Sequence, residues 1–176
     1  MNDLMLDLET FGVSPNSIIV QLGACYFNRE TGEIGKTFCE NIDTPSAQGY
    51  GLTIDASTIN WWLSQSKNAQ ESILKEPRTN IKIVLEQFQE FAIDATQVWS
   101  HATFDFVILL NAYNKVGLKF PFHYRAPRDI RTLTDLANID PKSYKMQGLE
   151  HNALEDCKHQ VKYCCDCFKK LKGINK

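Results

Sequence analysis

The 176-residue sequence predicts an α/β protein with a mixed sheet. Three observations carry that prediction: β-branched and aromatic runs open the chain, 3.6-period apolar stripes dominate its second half, and the order is strand, strand, strand, helices, strand, helix, strand, helix. Leu4 to Leu8 is a short apolar run that reads as the first strand. Ser17 to Phe27, rich in Ile, Val, Tyr and Phe, reads as the second, and Asn28-Arg29-Glu30-Thr31-Gly32 as the turn leaving it. Ile34 to Ile42 supplies a third strand, so the opening is expected to be an antiparallel meander. Ser57 is placed to cap a helix through Ile59, Trp61, Trp62 and Leu63, and Ile81, Val84, Leu85, Phe88 and Phe91 repeat at the period of another. Gln97 to His101 reads as a fourth strand feeding a helix from Phe104 to Val116, which Gly117 closes. Pro127 to Ile130 is expected as a fifth strand, Thr132 to Asn138 as helical, and about Asn152 to Leu171 as the last helix.

The length suits one domain with helices on both faces of a central sheet, and nothing reads as a linker, a repeat or a low-complexity segment. Hydrophobic residues at 43% and charged residues at 23% are ordinary for a soluble globular protein, and no apolar run approaches the ~20 residues of a membrane span. The start, Met1-Asn2-Asp3, lacks the basic and apolar regions of a secretory signal, so the expected compartment is the cytoplasm and the six cysteines are expected to be reduced. Four of them, Cys157, Cys164, Cys165 and Cys167, cluster near the C-terminus. Zinc ligation competes with service as small apolar residues on a helix, and the second reading is preferred, since Cys25 and Cys39 have no paired spacing. A net charge of −2 argues against a protein that coats nucleic acid by bulk electrostatics, but a site holding divalent metal must itself carry excess carboxylates.

Asp7 and Glu9 stand as D-L-E at the end of the first apolar run. Side chains alternate along a strand, so the two carboxylates project from one side while Leu6 and Leu8 point to the other. In a cleft such a pair repels, and a divalent cation relieves the repulsion. Asp105 stands where the fourth strand meets its helix; a helix cap is the plain reading, yet ligand sites in open α/β sheets collect at such junctions. On the last helix Ala153, Cys157, Val161, Cys164, Phe168 and Leu171 form an apolar stripe, with Lys158, Lys162 and Lys169 opposite and Asp156 on its flank. His151 precedes that helix. Taken singly, Asp156 reads as a solvated carboxylate and His151 as a capping or surface residue.

Together, Asp7-x-Glu9, Phe104-Asp105 and His151-x-Ala153-x-x-Asp156, in this order and spanning the whole chain, resemble the three motifs of the DnaQ-like DEDDh 3'-5' exonucleases. Thr58-Ile59-Asn60-Trp61-Trp62, Trp99, and Arg128-Asp129-Ile130-Arg131-Thr132 look like the branch of phage DexA-type exonucleases, prophage exodeoxyribonuclease VIII-like proteins and the exoribonuclease RNase AS. Phe106, and Ser100-His101-Ala102, depart from the Asn and Gly-Asn-Gly that relatives often carry. The resemblance implies an RNase H-like three-layer fold with a mixed five-stranded sheet. It also implies hydrolysis of single-stranded DNA or RNA from the 3' end to nucleoside 5'-monophosphates. Two Mg²⁺ or Mn²⁺ ions would be held by Asp7, Glu9, Asp105 and Asp156, and His151 would be the general base.

The turn Thr10-Phe11-Gly12 would offer main-chain donors to a terminal 3' hydroxyl and an aromatic wedge under the last base. Trp61 and Trp62 are stacking candidates with Trp62 favoured, and core packing is the alternative for both. Arg125, Arg128 and Arg131 are better placed for phosphate than the lysines of the last helix, which read as solvating it. Dimers are common among such relatives, though no homodimer interface is legible here. An RNase H-like endonuclease, or a non-catalytic nucleic-acid-binding module, would share part of this pattern.

Overall fold

Three strands open the chain in the computed structural model, which describes residues 1–174: β1 (Asp3–Thr10), β2 (Ile19–Phe27) and β3 (Ile34–Asn41). They pair antiparallel as the expected meander. Four helices follow, α1 (Thr44–Gly49), α2 (Ala56–Ser64), α3 (Lys67–Leu74) and α4 (Ile81–Phe91). Then come β4 (Gln97–Ser100), α5 (Asp105–Val116), β5 (Pro127–Asp129), α6 (Ile130–Leu136), a 3-10 turn over Pro141–Ser143, and α7 (Ala153–Ile174). The five-stranded sheet has the order β3-β2-β1-β4-β5, with β4 parallel to both β1 and β5.

Local chemistry moves two of the expected boundaries. α2 is capped by Asp55, whose carboxylate accepts the Ser57 N–H at 2.9 Å, so Ser57 lies inside the helix rather than at its cap. α6 starts at Ile130 because Asp129 caps it, accepting the Thr132 N–H at 2.8 Å, which leaves β5 only three residues. α1 and α3 are too short to show an apolar period and are announced only by their caps, Asp43 and Ser66.

The strand alternation divides the core into two layers. Leu4, Leu6 and Leu8 of β1 and Leu22 and Ala24 of β2 face Val84, Leu85 and Phe88 of α4 and Ile108, Leu109 and Tyr113 of α5. Met5, Cys25, Phe27 and Trp99 face the other way, against Ile130 and Leu133 of α6 and Cys157, Val161 and Cys164 of α7. All four C-terminal cysteines are buried, so α7 uses its thiols as small core side chains. α7 starts directly on the sheet: a Cβ on Gly23 would stand 2.3 Å from the Ala153 carbonyl carbon. The Gln21 side chain accepts the Ala153 N–H at 2.7 Å and fixes that first turn. No helix among the described residues is long and apolar enough to cross a membrane.

Candidate active site

Met5, Asp7 and Glu9 form one row on the α7 face of β1. Met5 is covered by the α6/α7 core, whereas Asp7 and Glu9 lie where that cover ends, beside the start of α7. β4 pairs with β1 only as far as Met5, so the edge of β1 beyond it has main-chain groups to satisfy. Asp105 does so: it sits in the first turn of α5 and its carboxylate accepts the Leu8 N–H at 3.3 Å and the His101 N–H at 2.9 Å. Asp105 does not cap α5, whose N-cap is Phe104 without a side-chain bond; its carboxylate instead secures the strand edge, and those bonds aim it at Asp7.

Asp7, Glu9, Asp105, His151 and Asp156 line one cleft of about 580 Å³, together with His101, Phe104, Gln160 and Tyr163. All five residues singled out as catalytic in the sequence are thus brought together. Their donor atoms fall into two groups, Asp7/His101/Asp105 and Glu9/His151/Asp156, each within 4.8 Å of one another. Asp7 is additionally held by Gln160, one turn beyond Asp156 on α7, whose Nε2 donates to Oδ1 at 2.8 Å.

The electrostatics of the cluster are those of acids lacking a counter-charge. Burial, then the charges of Asp105, Glu9 and Asp156, hold Asp7 well above the ordinary carboxylate range. Burial and the neighbouring Asp156 push Glu9 up to about 8. Burial raises Asp105 to about 7 against the main-chain N–H groups of His101 and Leu8, and raises Asp156 to about 6 against the opposing charge of His151. Among the described residues, no Lys or Arg forms an ion pair with Asp7, Glu9, Asp105 or Asp156. Gln160 Oε1 is buried in the same place without a partner. Oxygen-rich donors, mutual repulsion and an orphaned buried oxygen fit a divalent cation.

His151 is held differently. It adopts a left-handed backbone, φ 61°, that a non-glycine residue enters at a cost of ~1–3 kcal/mol. Its ring meets Trp61 edge to face at 4.9 Å between centroids and Trp62 at 5.9 Å. The next residue, Asn152, caps α7 by accepting the Glu155 N–H at 3.1 Å, which carries Asp156 to the flank as expected.

An apolar groove of about 420 Å³ adjoins the acidic cleft and shares Leu8, Glu9 and Phe104 with it; Thr10, Gly12, Thr58, Trp61 and Trp62 complete much of its wall. Here the structure redistributes the substrate-binding residues. Trp62 is only 4% exposed and its indole donates to the Thr10 carbonyl at 2.9 Å, whereas Trp61 is 44% exposed. The open ring is therefore Trp61, in place of the favoured Trp62. Phe11 does not line the groove: its N–H bonds to the Ile18 carbonyl at 2.9 Å and its ring packs on the core. Thr10 and Gly12 do line it, although the Thr10 hydroxyl is engaged with the Gly12 carbonyl at 2.7 Å. Arg128 turns one guanidinium nitrogen, Nη1, back onto the carbonyls of Arg125 and Pro127, at 2.6 and 2.9 Å.

Phe104, Gln160 and Trp61 matter more than their sequence context suggested. Gln160 could have been found four residues after Asp156 on the same helical face, and Phe104 by its adjacency to Asp105.

Residues 2–168 match the model of the Rv2179c-like domain, described as a 3'-5' exoribonuclease domain. The chain belongs to this family. Its fold is the α/β, RNase H-like one. The fold is shared with product-bound exonuclease I (TM-score 0.60, 14% identity, 97% of this chain and 43% of that one). It is shared also with the nuclease domain of 3'hExo, a DEDDh member bound to rAMP (TM-score 0.57, 16% identity, 95% and 91%). Cell-death related nuclease 4 matches at a TM-score of 0.50, with 14% identity over 95% and 63% of the two chains. The Rv2179c-like chain thus spans less than two thirds of the length of exonuclease I and of cell-death related nuclease 4. No curated protein matches it.

Proposed function

We propose that this Rv2179c-like domain removes nucleotides one at a time from the 3' end of single-stranded nucleic acid, releasing nucleoside 5'-monophosphates. The observation that carries this reading is the pair of adjoining recesses, one acidic and one apolar, which meet at Leu8, Glu9 and Phe104. A scissile phosphate at the acidic recess places its terminal base in the apolar one, where Trp61 and Phe104 offer aromatic surface. Within the family we place the chain in the branch of DexA-type, exodeoxyribonuclease VIII-like and RNase AS enzymes. Two of the motifs behind that placement build the site: Trp62 ties α2 to Thr10, and Asp129 accepts the Ala102 N–H at 3.1 Å beside Asp105.

Asp7, Glu9, Asp105 and Asp156 would hold two Mg²⁺ or Mn²⁺ ions. When bound, such a pair neutralises charge on the reacting phosphate and makes water a better nucleophile. Asp7 belongs to the first donor group but also feels the charges of Glu9 and Asp156 from the second, and Gln160 keeps it oriented. His151, on the cleft wall against Trp61, takes the proton of the attacking water.

The test is a digestion of equal-sequence single-stranded DNA and RNA, 5'-labelled, 3'-blocked or circularised, with Mg²⁺, Mn²⁺ or chelator. A ladder shortening from free 3' ends only, with monophosphate product and loss in chelator, is expected. Cleavage of circles would assign an endonuclease instead, and cation-dependent binding without cleavage a recognition module.

A further inference from the structure

We propose that His101 is a cation ligand of this chain, its ring nitrogen completing with Asp7 and Asp105 a seat that favours Mn²⁺ and later transition metals over Mg²⁺. This deepens the proposed nuclease site and rests on that reading for the presence of ions there. The resemblance that pointed to the site assigns its ligation to carboxylates alone, so an imidazole donor is a property of this sequence.

Three observations carry it. The ligand atoms of Asp7, His101 and Asp105 lie within 4.8 Å of one another, independently of the Glu9/His151/Asp156 group. His101 Nδ1 stands 3.9 Å from Asp105 Oδ2, which is too long for a hydrogen bond. Donors about 2.1 Å from one ion stand about 3.0–3.4 Å apart as neighbours and about 4.2 Å apart when opposite, so this spacing lies within the span that one ion bridges after a small side-chain adjustment. Among the described residues the His101 ring donates or accepts no hydrogen bond, whereas the residue's main chain is fully committed. Its N–H bonds to Asp105 Oδ2 at 2.9 Å and its carbonyl accepts from Phe104 and Asp105 at 2.7 and 3.0 Å.

The turn that presents the ring is braced from the far side. Asp129 accepts the Ala102 N–H, and Arg131 donates to the Thr103 hydroxyl at 2.9 Å. A surface histidine with no task needs none of this; here the backbone fixes where the imidazole goes and leaves its nitrogen facing two acids. Mixed nitrogen and oxygen ligation shifts preference away from Mg²⁺, which favours all-oxygen shells. The two seats are then chemically unequal, and the His101 seat discriminates between metals.

Pulsed EPR of the full chain loaded with Mn²⁺ reads the proposal directly, because a coordinated imidazole nitrogen modulates the echo. Since His151 lies near the other group, the His151→Ala variant serves as the background. Nitrogen modulation that persists in His151→Ala and disappears in His151→Ala/His101→Gln is expected. Calorimetry should show His101→Gln weakening Mn²⁺ at one seat by roughly 10-fold or more, with Mg²⁺ changed much less. Unchanged modulation on losing His101, or an equal loss for Mg²⁺ and Mn²⁺, would overturn the assignment. Titration without any Mn²⁺ binding would overturn it and the nuclease reading together. Nitrogen-ligated Mn²⁺ in a chain that cleaves nothing would leave His101 a ligand and reject only the activity.

Discussion

Raising the pH of the cation-free protein from 6.5 to 8.5 is expected to lower its stability by ~3 kcal/mol. Glu9 keeps its proton to about pH 8 in the folded chain, against an ordinary 4.5, and Asp105 to about 7 against 3.8. Above pH 6.5 the unfolded chain has already lost these protons while the folded chain still binds them. A pKa raised by folding contributes stability that is full below the ordinary value and disappears as the pH climbs through the folded one. Integrated over this window, Glu9 accounts for ~2 kcal/mol and Asp105 for ~1, with Asp7 acting in the same direction. His101 and His159, both shifted downward chiefly by burial, act with opposite sign, but chiefly below their ordinary 6.5, which is why the window begins there.

For a chain of this size each kcal/mol is worth about 2–4 °C, so thermal melts in chelator should fall by ~6–12 °C across the window. A divalent cation at about 100 times its dissociation constant adds ~2.7 kcal/mol, and because it competes with protons its benefit must be larger at pH 8.5 than at 5.5. Circular-dichroism melts at several pH values, with chelator and with Mn²⁺, measure both slopes. A melting temperature in chelator that is flat or rises over the window would refute the reasoning, as would a Mn²⁺ gain independent of pH.

The two tryptophans should separate: Trp61→Ala weakens oligonucleotide binding by ~1–3 kcal/mol in a fluorescence titration with little change in melting, whereas Trp62→Phe loses about 1 kcal/mol of stability with the Thr10 bond. Gln160→Leu should weaken Mn²⁺ by ~10-fold in calorimetry through loss of the bond that orients Asp7. Gly23→Ala should cost ~1–3 kcal/mol or more in denaturant unfolding, because its methyl meets the α7 backbone, and activity should fall as Asp156 is displaced. His151→Ala should lower single-turnover hydrolysis ~10²-fold or more while leaving Mn²⁺ binding in place.

The period-two placement of Asp7 and Glu9 beside Met5, and the flank position of Asp156, were legible because strand and helix periodicities are rigid geometry. The meander, α4, α5 with its left-handed Gly117, and α7 were legible for the same reason. Short helices were not. α1 spans six residues, and the choice between Asp55 and Ser57 as cap depends on which oxygen reaches which N–H. The helical period also separates Trp61 from Trp62 by about 100° without saying which one faces the sheet. That is decided by the Thr10 carbonyl, fifty-two positions away. Phe11 was misjudged for a similar reason, since its N–H belongs to the Ile18 pairing that continues the hairpin.

Nothing in the packing of this fold demands acids at the mouth of the sheet. The row that carries Met5 into the α6/α7 core would accept neutral side chains at positions 7 and 9 and end as quietly as most strands do. Asp105 alone secures main-chain groups, the Leu8 and His101 N–H, and since each takes its own carboxylate oxygen an asparagine would serve only one of them. Asp7 at 8% exposure and Glu9 at 7%, facing Asp105 and Asp156 with no Lys or Arg ion pair among the described residues, are therefore a standing cost to the unliganded protein. Local rules broken together at one point, while the rest of the chain obeys them, mark a functional site. A left-handed histidine leaning on an exposed tryptophan above those acids breaks two more. A module that only gripped nucleic acid would gain stability and attraction for phosphate by exchanging these acids for amides, so their retention favours chemistry at the phosphate over recognition of it.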